Sequence, residues 1–130
     1  MSTWRRKAIE NFSIKFGPMH HDSIYEVFRT LLEMVVEAHK NKDENLLKDI
    51  YDYAEWCSDQ KAHDLWNAAG VSFYEHLIDS EITLKSIPYW IKPEIFMNIK
   101  GLLQWRLKSE EDFRRLVDCY NKVNGTNIEY

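Results

Sequence analysis

Apolar residues recur at three- and four-residue intervals along nearly the whole chain, the period of amphipathic helices rather than of strands. Trp4, Ala8, Ile9, Phe12 and Phe16 form a first stripe, which Gly17-Pro18 would end. "SIYE", residues 23–26, has capping-box spacing: Ser23 can take an orphan N–H while Glu26 reaches back. Behind it Ile24, Val27, Phe28, Leu31, Leu32, Val35 and Val36 keep the helical period. Asp43 is the expected cap of a third helix carrying Leu46, Leu47, Ile50, Ala54 and Cys57. A fourth is predicted from about Gln60, with Ala62, Leu65, Trp66, Ala69, Phe73 and Leu77 on one side. Ala68, Val71 and Ile78 lie on its other side, so burial on two faces places it centrally. Its "AAG" at 68–70 would let a neighbouring helix approach closely.

The pattern breaks at "SIPYWIKP", residues 86–93, where two prolines argue against regular helix. An exposed run of this kind would invite aggregation, so Trp90 is expected to pack inward over the bundle. Pro93 suits the first turn of a fifth helix with Ile95, Phe96, Ile99, Leu102 and Leu103 inward. "SEED" at 109–112 opens a sixth, carrying Phe113, Leu116, Val117 and Tyr120, with Gly125 past its end. Residues 126–130 are expected to fray. The starts of these helices do not recur at a fixed interval, which excludes a solenoid repeat. The prediction is all-α: a single-domain, irregular antiparallel bundle of about six helices over residues 1–130.

Composition narrows the class. A chain of 130 residues suits one domain with its own core. At 45% hydrophobic and 14% aromatic it is too apolar for disorder, and four glycines with three prolines leave little turn material for a β fold. Cys57 and Cys119 are too few for a disulfide framework, which points to reduced thiols and a cytoplasmic setting. "MSTWRRKAIENF" has the charge of a signal peptide without its apolar run. No stretch of eighteen apolar residues occurs, so no membrane span is expected.

Charge changes the picture most. Between Asp43 and Glu81 ten carboxylates accompany only two lysines, Lys48 and Lys61, in a chain whose net charge is −4. Such a segment can be a solvated face, or it can steer basic partners and repel nucleic acid. "YDYAEWCSDQ", residues 51–60, lies inside it. At about 100° per residue, Leu46, Leu47, Ile50, Ala54 and Cys57 share one arc and Asp49, Asp52, Glu55 and Asp59 the opposite one. Trp56 falls on the acidic side, either as an exposed anchor or covered by a segment such as 86–93. An aromatic among carboxylates has the composition of a hot spot for Arg or Lys. Asp49, Asp52, Trp56 and Asp59 are therefore the candidate partner-binding residues.

Catalytic chemistry finds little support. His20 and His21 precede the second helix beside Asp22 and read as a solvated pair, while His39 and His76 read as hydrogen-bonded core histidines. His63 would sit beside Asp59 only if one helix ran through Ser58. Glu75-His76 has no second histidine at zincin spacing, and P-loop, dinucleotide-turn and nucleophile-elbow motifs are missing. No catalytic residue, metal site or cofactor is predicted. The basic residues are scattered and the pI is about 5.7, against a nucleic-acid partner.

"IYDYAEWCSDQ" followed by "LWNAAGVSFYEHL" resembles a group of small all-helical bacterial proteins associated with immunity to interbacterial toxins, over roughly residues 46–78. That resemblance implies a cytoplasmic, non-catalytic inhibitor that binds one cognate toxin domain. A basic nuclease toxin would suit the acidic face. It carries over no binding residues, because such proteins vary their interface with the toxin. The alternative is a helical adaptor or regulatory subunit of a cytoplasmic complex. Oligomeric state is not legible in the sequence.

Overall fold

The computed structural model describes residues 1–17 and 23–130. The expected stop at Pro18 and the His20–His21 pair beside Asp22 lie outside them. Seven α-helices are described: α1 Thr3–Phe12, α2 Ile24–Lys40, α3 Glu44–Ser58, α4 His63–Ala68, α5 Glu81–Trp90, α6 Pro93–Leu107 and α7 Glu110–Asn124. Between α4 and α5 the chain continues as a π-helical turn, Ala69–Phe73, and a 3-10 segment, Tyr74–Asp79. The fold is an all-α bundle.

The predicted caps close where expected. Glu26 N–H donates to Ser23 Oγ at 3.3 Å, Leu46 N–H to Asp43 Oδ1 at 3.2 Å and Asp112 N–H to Ser109 Oγ at 3.2 Å. Each satisfies a backbone donor that the first helical turn leaves unpaired. Gly125 ends α7 in the left-handed region, at φ 66°. α1 stops earlier than its stripe suggests, at Phe12, with Ser13 left-handed at φ 56°. Phe16 therefore joins the core from beyond the helix.

The segment after α4 is the centre of the molecule, as its two-sided pattern predicts. The π-helical turn packs on α2, α3, α4 and α6, and Ala68, Ala69, Gly70, Phe73, Tyr74 and Leu77 are buried. Gly70 makes the expected close approach: a Cβ there would stand 3.2 Å from Leu102 Cδ1 of α6. One continuous helix from Gln60 is not formed, however. α4 begins only at His63, which leaves Ala62 as its exposed N-cap, and the wide π turn and tighter 3-10 turns beyond Ala68 take Phe73 and Leu77 off the line of Trp66, which is exposed.

The larger correction concerns residues 86–93. α5 runs helically through Pro88, which lies buried near its C-terminal end. Proline removes the backbone donor that would pair with Leu84 O and strains the preceding turn; separately, the carbonyls at the C-terminal end of α5 are satisfied from α7. Asn124 Nδ2 donates to Pro88 O at 2.8 Å, and the Tyr120 hydroxyl donates to Ile91 O at 2.5 Å. Trp90 packs inward as expected, stacked on Tyr51 at 5.2 Å between ring centroids. Residues 126–130, expected to fray, lie back along α6 and α7. Ile128 bonds the Asn121 side chain through both its N–H and its carbonyl, Lys100 Nζ donates to Glu129 O, and the Tyr130 hydroxyl donates to Asp118.

Candidate functional site

α3 has two faces. Leu47, Ile50, Tyr51, Tyr53, Ala54 and Cys57 are buried, whereas Asp49, Asp52 and Asp59 are exposed and Trp56 is half-buried. The helix therefore turns its carboxylates outward as the 100° projection requires. Trp56 packs against the core and is covered from α1. Lys7 places its ammonium 5.0 Å from the Trp56 ring centroid, a cation–π contact. Together Lys7 and Asn11 of α1 with Asp49, Asp52, Tyr53 and Trp56 of α3 line a small cleft of about 160 Å³. Its floor is fixed by the Tyr53 hydroxyl, which donates to Trp4 O at 2.9 Å and ties the two helices one turn from Lys7.

Three of the four candidate residues thus share one site. Asp59 lies outside it, as the C-cap of α3, with its N–H donating to Glu55 O at 3.0 Å. Asp52 pairs with Lys48 one turn back along the helix. Glu55 pairs with Lys92 across the α3–α6 boundary at 2.8 Å. The nearest nucleophile is inert: burial pushes the Cys57 thiol up to about 12. Cys119 is exposed on α7, and both cysteines are free thiols. Among the described residues, no group of three or more His, Cys, Asp or Glu could hold a metal ion.

His63 does not face Asp59, because α3 ends at Ser58 and α4 begins at His63 itself. Its ring meets Trp66 edge-on at 4.7 Å. His39 is a half-buried, hydrogen-bonded histidine as expected. Ser86 Oγ already donates to Ile82 O at 2.6 Å, so it accepts from His39 Nδ1 at 3.4 Å. Nε2 is then left to accept the Tyr51 hydroxyl proton at 2.8 Å. The ring is neutral in this arrangement, and burial lowers its pKa.

Sequence reasoning missed a second polar cluster. Asp79 receives a two-pronged bond from Arg106 of α6, Nε at 2.8 Å and NH2 at 2.9 Å, and His76 Nδ1 lies 2.8 Å from the same carboxylate. Buried Glu75 stands 3.8 Å from Arg106 and 3.9 Å from His76. The Arg106 hydrogen bond holds the Asp79 carboxyl below its ordinary value. His76 is hydrogen-bonded as expected, but it is half-buried and its partners are the carboxylates of this ion network rather than the core. Its only sequence signal was the Glu75/His76/Asp79 spacing, with Arg106 27 positions further on.

Residues 5–106 match the family described as "Domain of unknown function (DUF7674)". The chain belongs to that family. No curated protein and no solved structure matches it. The DUF7674 span takes in the α1–α3 cleft and the whole Arg106 network, and it ends before α7. The helix that repairs the end of α5 thus lies beyond the matched residues.

Proposed function

We propose that this chain is a non-catalytic protein-binding module that takes a basic partner through the acidic side of α3. The observation that carries the reading is Lys7, seated on Trp56 in a cleft with two carboxylates. The cleft already holds a cation, and a partner's arginine can replace Lys7 there with a flatter, better-stacking group. Asp49 and Asp52 in the cleft wall and Asp59 beyond it are exposed and draw basic surfaces by long-range attraction. In the form suggested by the resemblance to immunity proteins, the partner is a cognate toxin domain and the complex forms in the cytoplasm. Two free thiols suit that reducing compartment.

Binding kinetics against a candidate basic domain test the reading. Reversing charge at Asp52 and Asp59 should slow association and flatten its salt dependence. Trp56→Ala should cost about 2 kcal/mol of binding, mainly through faster dissociation. Lys7→Ala should preserve or strengthen binding, since it clears the competing cation. Unchanged kinetics in the charge-reversed and Trp56 variants, with the fold intact by circular dichroism, would exclude this face.

A further inference from the structure

α6 buries Ile95, Phe96, Ile99 and Leu103, yet its opposite face is not an ordinary solvated one. Met97 is 61% exposed and Trp105 66% exposed, and Gly101 lies between them, also exposed. Glycine inside a helix weakens it, and here the single chain offers no steric reason for one. A Cβ at Gly101 would meet nothing within 4 Å. Glu94 stands near the start of this stripe and Lys108 at its end, both exposed, with exposed Asn98 and Gln104 along its edges. Glu94 and Gly101 are spaced by seven and stay on one line of α6, and Lys108 is the helix's C-cap, left-handed at φ 58°, which leaves its long side chain at the carbonyl end of the stripe.

We infer that this face pairs with a second copy of the chain, α6 against α6 antiparallel about a two-fold axis at Gly101. Such an axis brings position 94 level with position 108 of the other copy, and 97 level with 105. Glu94 of each copy then meets Lys108 of the other, whereas a parallel pairing would set like charges together. Each Trp105 enters the space left by Gly101, beside the other copy's Met97 and Asn98. One surface supplies both knob and hole, as an isologous interface requires. The charge order selects the antiparallel direction. Neither the acidic α3 cleft nor the reading built on it enters this inference.

Sedimentation velocity of the intact chain between about 1 µM and about 1 mM tests it, a range covering weak to moderate dimers. The wild type should pass from one-chain to two-chain mass. Gly101→Gln should stay at one-chain mass while keeping or raising the melting temperature of dilute protein, because its side chain has open space in the monomer. Glu94→Lys should weaken the dimer about tenfold by placing like charges together, and Glu94→Lys with Lys108→Glu should restore it. A one-chain mass throughout overturns the inference. So does a dimer indifferent to Gly101→Gln, or a double variant no better than the single one. Were the chain monomeric and a different protein lost from Gly101→Gln, the face would belong to that partner instead.

Discussion

His39 shows how much one ring's hydrogen bonds decide. Its acceptor nitrogen takes the Tyr51 proton, so protonation would break that bond as well as charge a half-buried ring. The unfolded chain takes up this proton near the ordinary value of 6.5, and the folded chain resists it to lower pH. The His39 contribution is therefore complete above about 6.5 and declines as pH falls toward the folded value. Urea midpoints should fall between about pH 7.5 and about pH 5.5, and His39→Gln should flatten that slope. A slope equal in both proteins would detach the effect from this residue. The sequence pattern placed His39 near an apolar stripe. The partners that set its tautomer, Ser86 and Tyr51, come from two other helices and had no local signal. Trp56 is similar. Its place on the acidic side followed from helical geometry, but its cover from α1 depended on how two helices pack.

At the scale of the element, α5 is where local rules were overruled. Two prolines within eight residues read as a break, and for most exposed segments they would be one. The helix runs through Pro88 to Trp90, and α7 satisfies the carbonyls of Pro88 and of the C-cap Ile91 at its end. Burial pushes the Tyr120 hydroxyl up to about 12, so it stays a donor at ordinary pH. Tyr120→Phe keeps the stack on Phe96, whose ring centroid lies 3.9 Å away, but strands the Ile91 carbonyl in the core. It should cost about 1–3 kcal/mol, read as a lower urea midpoint with an unchanged slope. A loss under about 0.5 kcal/mol would mean that another group or water takes over the carbonyl. The caps of α2, α3 and α7 were legible because each is written within four residues. The repair of α5 is written about 30 positions away.

For the molecule as a whole, the acidic segment proved to be two things. On α3, Asp49 and Asp59 are exposed while Asp52 and Glu55 carry ion pairs with Lys48 and Lys92, and beyond it Glu75 and Asp79 turn toward Arg106, a cation from outside the segment. Counting charges along the chain found the excess but could not separate the solvated part from the paired part. The Asp79 carboxyl is held low by Arg106, so its contribution is present above about pH 4 and is lost as pH falls through its lower folded value. Arg106→Gln should therefore start acid unfolding at higher pH, followed by tryptophan fluorescence, and an unchanged midpoint would make the network ornamental to stability. The π-helical turn that precedes this network has a consequence for descent. A turn one residue too wide is what a single insertion into a regular helix leaves behind. Deleting Ser72 would restore uniform α-helix locally, yet it would swing Phe73, Tyr74 and Leu77 about 100° out of the core. The Asp79–Arg106 register would go with them. With packing closed around the wide turn, the shorter and more regular sequence no longer fits the core it would have to fill.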